Sequence, residues 1–410
     1  MPVACIRIAL GAVASRRLPD DGASAMPDPL AFVADDLARL DADGLRRTPR
    51  TYAAQSGRRV VVDGRSCLDF ASNDYLGLAR PLDDNAKAAF GGSGSSALVS
   101  GRSPELAELE ARLARFEGED AALVFPTGYA ANLGTAAAIA GPGDTVFADK
   151  LNHSCLIEGA KLSGATLRVY RSDRLERLRD ELAKATTGRR VIQTDGVFSM
   201  DGTLAPLPNL LELADEFDAL LMVDEAHATG VFGERGRGAC EHFELSSPRL
   251  LRTGTLSKAF GCLGGFVAAT RDRVEWLRHH ARTQMFATAL PPAICRQAIG
   301  SLDRIESPAG RAARKALLRS ADDVRHTLRS QGWSVLDSIG PIVPVLLDAP
   351  ERAVAVAAAL ERRGVLVGCI RPPTVPRGTS RLRISLSAAH SDDDRKTMCD
   401  AMQTVAAASV

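Results

Sequence analysis

Three residues in this chain are of types that could do chemistry together. The apolar run LLMV (220–223) delivers Asp224, and His227 follows within VDEAHATG. Lys258 lies further on, in TGTLSKAFG, among small residues. An apolar run of this length ending in an acid reads as a buried strand with a carboxylate at its end. A lysine in glycine-rich, apolar sequence would be desolvated, which lowers its pKa and frees the amine as a nucleophile. A carboxylate, an imidazole and such an amine suit one reagent, pyridoxal phosphate (PLP). Its pyridine nitrogen takes an anion, its phenolic oxygen takes donors and its aldehyde condenses with an amine. Taken singly, each residue has a structural alternative. Lys258 could be a solvated surface charge, Asp224 a helix cap at a strand–helix junction, and His227 a satisfied core histidine.

The elements that must position them alternate. RRVVVDGRSCLDF reads as a β-ribbon with an Asp-Gly turn, and GGSGSSALVSG as a flexible glycine/serine segment. PELAELEARLARFEG is a helix with proline early and glycine at its end. AALVF, DTVFAD, TLRVY, RVIQTDGVF and LLMVDEA then read as strands. Helices TGYAANLGTAAAIAG, NHSCLIEGAKLSG, RLERLRDELAKAT and LPNLLELADEFDA separate them. Such alternation predicts an α/β fold with a mostly parallel sheet covered on both faces. Ligands of such sheets sit beyond the carboxyl ends of the strands. His153, Ser199, Asp224 and Lys258 all follow predicted strands, so one crevice could gather them. After ALPPAICRQAIG the pattern changes to a long helix over about 293–331, then strands near IVPVLL and RLRISLS with the helix AVAVAAALERRG between them. That is a smaller α+β unit.

Composition excludes several function classes. The chain has 410 residues, more than one ordinary core would hold. Its 51 Lys and Arg nearly balance 50 Asp and Glu, and no basic block advertises nucleic acid. No apolar run approaches the roughly 20 residues of a membrane span. The eight cysteines are scattered without metal-ligand spacing, so no metal is expected and the thiols read as those of a reduced, cytoplasmic protein. Residues 1–25, with three arginines and no acid before Asp20, read as an extension ahead of a second start at Met26. An amphipathic helix follows, with Leu30, Val33, Leu37 and Leu40 at helical spacing.

An ordered set of motifs carries a family resemblance. NDYLGL (73–78), GSGSSALVSG (92–101), TGYAAN (127–132), DKLNHSCLIEG (149–159), TDGVFSMDGTLAPL (194–207), VDEAHATG (223–230), GRG (236–238), TLSKAFG (255–261), FATALPP (286–292) and IRPPTVPRGTSRLRISLSAAH (370–390) occur in sequence. From about residue 30 to the C-terminus the chain resembles the α-oxoamine synthases, PLP enzymes of the aspartate-aminotransferase fold. Within them, RPPTVP is most similar to the biotin-pathway branch. The resemblance implies PLP-transferase fold type I. Residues 1–66 would form an N-terminal extension with the helix and ribbon, 67–295 a large PLP-binding domain, and 296–410 the C-terminal α+β domain. The implied activity is decarboxylative condensation of L-alanine with a pimeloyl thioester, carried by coenzyme A or a carrier protein, in a homodimer with shared active sites.

The resemblance also implies roles. Lys258 would bond to the PLP aldehyde and Asp224 would pair with its pyridine nitrogen. Ser199 and His227 would meet the phenolic oxygen, and His153 would stack on the ring, its alternative being a helix N-terminal residue. Gly128 and Tyr129 would offer backbone N–H groups to the phosphate, Thr255 a hydroxyl, and Thr288 a contact from the neighbouring subunit. Arg383 would clamp the amino-acid carboxylate with help from Asn73. Arg46 and Thr374 match positions near the acyl substrate.

Asp195 stands where the family has glutamate, Ser95 and Ala97 replace glycine and arginine, and the histidine common after that loop is absent from GRSPELAELE. Other classes compete less well. A dinucleotide-binding dehydrogenase needs a strand before its glycine loop, which GGSGSS lacks. A non-catalytic partner subunit has no use for an imine-forming lysine. A sister transferase using glycine and another acyl thioester remains the nearest alternative.

Overall fold

The computed structural model describes residues 32–46, 50–54, 58–79 and 91–408. Residues 1–25 and Leu30 lie outside them. The chain divides into two compact units, Met1–Thr48 and Pro49–Val410. In the first, the predicted amphipathic helix is present as Phe32–Ala42, with Val33, Leu37 and Leu40 exposed along it.

The strands of the second unit are, in chain order, β1 (Tyr52–Ala54), β2 (Arg59–Val62), β3 (Arg65–Phe70), β4 (Ala121–Phe125), β5 (Thr145–Asp149), β6 (Thr166–Tyr170), β7 (Arg190–Asp195), β8 (Ala219–Asp224), β9 (Leu250–Thr255), β10 (Gly265–Ala269), β11 (Ile342–Asp348), β12 (Val365–Ile370) and β13 (Ser380–Ser385). Seven form the main sheet in the order β4-β10-β9-β8-β7-β5-β6. Strands β5 to β9 run parallel, as the helix-separated runs predict, while β10 lies antiparallel between β9 and β4. Both faces are covered. Ile192, Leu221 and Val223 feed one apolar core, while their neighbours Val191 and Met222 feed another. Alternate side chains of one strand thus enter opposite cores, which is why β8 reads as a continuous apolar run.

The second sheet has the order β1-β2-β3-β12-β13-β11. Its ribbon turns at Asp63 and Gly64, both at positive φ (48° and 78°), the backbone that an Asp-Gly hairpin needs. The ribbon then pairs β3 in parallel with β12 from the far end of the chain, a long-range contact that periodicity does not encode. No helix among the described residues is long and apolar enough to cross a membrane.

Two expectations need correction. The long helix over about 293–331 is two helices, Pro292–Glu306 and Pro308–Ser330. Ser307 between them is extended, and its hydroxyl accepts from the N–H of Gly310 at 3.0 Å. A residue before proline is driven out of the helical region, and serine then caps the next helix. Nor is the glycine/serine segment a free linker. Ala97–Gly101 winds into a π-helical turn and Ser96 bridges Thr288. A Cβ on Gly101 would lie 2.0 Å from the Ser95 carbonyl oxygen, so only glycine closes this turn. Strands β10 and β12 and the helix Arg271–His280 add to the predicted alternation. A short apolar run such as GFVAA carries no period that separates strand from helix.

His390 ties the C-terminal motif to β3. Its ring stacks on Phe70 at 4.0 Å between centroids, its Nδ1 accepts from the Ser387 N–H at 3.1 Å, and its Nε2 lies 3.1 Å from the Asp69 carbonyl oxygen. Burial pushes its pKa down to about 4. The unfolded chain therefore binds this proton more readily than the fold does, and stability falls as pH drops from about 6.5 towards 4. The expected loss from this group is about 3 kcal/mol. Urea unfolding of wild type and His390→Gln across that range checks it: the variant should show a shallower pH slope, and equal slopes would refute it.

Candidate active site

Strand β8 ends on Asp224 and its parallel neighbour β7 on Asp195, with the two as direct Cα partners. Two carboxylates therefore meet at one end of the sheet, where crossover connections leave a crevice. Asp224 is 5% exposed. Asn132 Nδ2 donates to its Oδ2 at 2.7 Å, and the Ala226 N–H donates to its Oδ1 at 2.9 Å. The second bond closes a turn, and no helix follows until Ala239, so Asp224 is not the helix cap of the alternative reading but shapes its own loop while lining the cavity. Thr253 on β9 donates in turn to Asn132 Oδ1. Asp195 accepts from the His153 N–H at 3.1 Å. Burial first, then the charge of Asp224, pushes its pKa well above the carboxylate range. A raised pKa favours the neutral acid and eases the approach of two carboxyl groups in the crevice.

Lys258 follows β9 and opens into the same crevice. Its Nζ makes no hydrogen bond or ion pair among the described residues. Burial lowers its pKa, against the opposing pull of Asp224 and then Asp195. The solvated-surface alternative fails, because the amine is desolvated and uncommitted. His227 is 7% exposed, its Nδ1 lies 2.6 Å from the Tyr75 hydroxyl, and burial pushes its pKa well below the usual value. His153 is a helix N-terminal residue at the edge of the cavity. Its Nδ1 accepts from the Cys155 N–H at 3.3 Å, capping the helix Ser154–Leu162, and its ring also walls the cavity.

The helix Gly128–Ile139 starts at the cavity. Thr127 caps it by accepting from the Ala130 N–H at 3.0 Å. The N–H groups of Gly128 and Tyr129 take no partner among the described residues, which leaves two donors at a positive helix end. A Cβ on residue 128 would come within 2.6 Å of Thr255 Oγ1, so glycine is what lets the helix start against β9. Orphan N–H groups beside a threonine hydroxyl fit a phosphate, a carboxylate fits a protonated ring nitrogen, and a free amine fits an aldehyde. The cavity measures about 320 Å³, and Gly128, Tyr129, His153, Asp224, His227, Thr255 and Lys258 all line it.

Comparison with known proteins agrees with this geometry. The family model for aminotransferase class I and II matches residues 65–402. The 8-amino-7-oxononanoate synthase of Aromatoleum aromaticum is 48% identical over 378 residues, spanning 91% of this chain and 97% of that protein. That of Geobacter sulfurreducens is 45% identical over 91% of this chain and 97% of its own length. The chain belongs to the 8-amino-7-oxononanoate synthase family. Among solved structures, the 8-amino-7-oxononanoate synthase of Francisella tularensis is similar at a TM-score of 0.71 and 30% identity, covering 82% of this chain and 97% of that one. A high-resolution structure of SPT with PLP is similar at a TM-score of 0.86 and 28% identity, covering 92% and 98%.

The remaining positions expected for this synthase family lie outside the cavity lining. Arg383, Asn73 and Ser199 form a cluster behind it. Arg383 Nε donates to the Ser199 carbonyl oxygen at 2.7 Å, Nη1 to Asn73 Oδ1 and to Ser385 Oγ at 2.7 Å each, and Nη2 to the Tyr75 hydroxyl at 3.2 Å. Tyr75, bonded to His227, joins this cluster to the cavity wall. Thr288 is exposed and paired with Ser96, and Thr374 is exposed in a turn closed by its own N–H on the Arg371 carbonyl oxygen. Arg46 belongs to the N-terminal unit, where it pairs with Asp41 at 2.5 Å.

Sequence reasoning missed Asn132, Tyr75, Thr253 and Cys155. Asn132 had a readable signal, since it lies four residues after Gly128 on one helix face. Tyr75 sits inside NDYLGL, but nothing in that motif says it is buried against a histidine 152 positions later.

Proposed function

We propose that this chain is a PLP-dependent 8-amino-7-oxononanoate synthase, condensing L-alanine with a pimeloyl thioester to give 8-amino-7-oxononanoate, CO2 and free thiol in biotin biosynthesis. The observation that carries the reading is the uncommitted, desolvated Lys258 amine sharing a cavity with the Asp224 carboxylate and an orphan helix N-terminus. When bound, PLP withdraws electrons from the amino acid's Cα, so that the Cα proton and later the carboxylate can depart. Each chain residue then has a defined task. Gly128 and Tyr129 hold the phosphate through their N–H groups, with the Thr255 hydroxyl beside them. Asp224, held by Asn132 and Ala226, keeps a proton on the ring nitrogen. His227 and Ser199 donate to the phenolic oxygen and His153 covers the ring. Lys258 would hold the aldehyde carbon and, freed by L-alanine, would take the Cα proton at Nζ. The acyl group would then replace the carboxylate on that carbon, with the thiol and CO2 as leaving groups and Lys258 Nζ returning a proton to Cα.

Arg383 is read as the carboxylate receptor. It is 5% exposed and has no acid partner among the described residues, and a buried unpaired cation attracts an anion. Four of its five N–H donors are used, which leaves one on Nη2. Asn73 accepts through Oδ1, so its amide hydrogens are free to assist. Arg383→Lys is expected to raise KM for L-alanine about 10- to 100-fold while PLP still binds. An unchanged KM would remove Arg383 from substrate recognition.

We read the enzyme as a cytoplasmic homodimer, with Thr288 reaching the partner's phosphate site. The exposed apolar side chains of Leu98, Val99 and Phe286, close to the Ser96–Thr288 bridge, support an interface there. Arg46 and Thr374 are assigned to the acyl substrate. The deciding assay supplies L-alanine, glycine or L-serine with acyl thioesters of several lengths, on coenzyme A and on carrier protein, and identifies products by mass. Release of 8-amino-7-oxononanoate from alanine is expected. Turnover of glycine in preference to alanine would overturn the substrate assignment.

A further inference from the structure

Tyr75 is completely buried, carries one hydroxyl and has three polar neighbours. Arg383 Nη2 lies 3.2 Å away, His227 Nδ1 2.6 Å and Asn73 Oδ1 3.4 Å. Counting protons decides their directions. A guanidinium only donates, so the Tyr75 oxygen accepts from Arg383. The hydroxyl must then give its single proton to one of the other two. Asn73 Oδ1 already accepts from Arg383 Nη1 at 2.7 Å and lies 3.4 Å from the hydroxyl, against 2.6 Å for His227 Nδ1, so distance favours the imidazole. The proton therefore goes to His227 Nδ1. Burial keeps the phenol protonated by raising its pKa. Burial lowers the His227 pKa and so favours the neutral ring, reinforced by the nearby positive charges of Lys258 and Arg383. A neutral imidazole has one N–H, and with Nδ1 accepting it must sit on Nε2.

We propose that Tyr75 is a positioning residue that locks His227 as the Nε2–H tautomer, so that towards the cavity His227 only donates. Resting on the PLP reading above, the acceptor is the phenolic oxygen of the ring. The lock extends further. Arg383, the assigned receptor for the substrate carboxylate, orients the Tyr75 hydroxyl, so the amino-acid receptor and the cofactor donor share one chain of hydrogen bonds.

Nitrogen NMR of the full-length protein with 15N-labelled histidine tests this, His227 being assigned by loss of its signals in His227→Gln. In PLP-free wild type, Nδ1 is expected to be of pyridine type and Nε2 of pyrrole type. His153, whose Nδ1 accepts from the Cys155 N–H, serves as an internal reference of the same pattern. In Tyr75→Phe the His227 signals should shift towards the Nδ1–H form while those of His153 stay in place. A pyrrole-type Nδ1 in wild type overturns the proposal without recourse to the variant, as does an unchanged ratio in folded Tyr75→Phe. Adding PLP to wild type should move the Nε2 proton downfield. A correct tautomer without that movement upholds the lock and overturns the assignment of PLP as its acceptor, so the two readings fail separately.

Discussion

Lys258→Ala is expected to fold, to take up PLP without the visible absorption that comes from bonding to a lysine amine, and to lose turnover by about 10⁴-fold or more. The fold should survive because Nζ makes no hydrogen bond among the described residues, so truncation leaves no buried group unpaired. The chemistry should not survive, because the amine is assigned both the anchoring of the aldehyde carbon and the removal of the Cα proton. Burial has already pushed its pKa down, which enlarges the neutral fraction available as a base near neutral pH. Absorption spectra of the reconstituted protein and a product assay measure the two losses. A variant that kept the visible band, or more than about a hundredth of the parent rate, would put the reactive amine elsewhere.

Asp224→Asn should separate stability from function. Its carboxylate pairs with Asp195 across neighbouring strands, and its charge, after burial, contributes to raising the Asp195 pKa. Replacing the carboxylate by an amide relieves the charge buried beside Asp195 but turns an NH2 towards the Asn132 Nδ2 donor, so the stability loss should not exceed that of one hydrogen bond, about 1–3 kcal/mol. The amide can still accept from Ala226 through its oxygen. It cannot stabilise a proton on the ring nitrogen, because it brings no negative charge. The expected loss in kcat is about 10²- to 10³-fold, the range seen when one preorganised electrostatic partner is removed. A stability loss well beyond one hydrogen bond would mark Asp224 as a structural residue. Near-normal kcat would show that the ring nitrogen needs no anion here.

Much of the sheet was legible because its signals are local. The run Leu220 to Val223 announces a strand buried on both faces, and the Asp63-Gly64 turn announces a hairpin through the positive φ it needs. Pro308 held a readable break that periodicity alone overlooked, since Leu302 and Leu317 keep helical character on both sides of it. The site was legible in part for the same reason. Gly128, Asp224 and Lys258 each stand where a strand gives way to a loop or helix, and strands of a parallel sheet all end on one edge.

Amino-acid order alone therefore singled out the candidate residues and the edge of the sheet on which they emerge, because strand, turn and cap preferences act over a few neighbouring positions. Only the folded chain decided what surrounds them. The pairing of Asp195 with Asp224, the hold of Asn132 on the acid, and the line from Arg383 through Tyr75 to His227 join segments far apart in sequence. Those contacts arise from sheet register and side-chain packing, in which each hydrogen bond depends on where several distant elements come to rest.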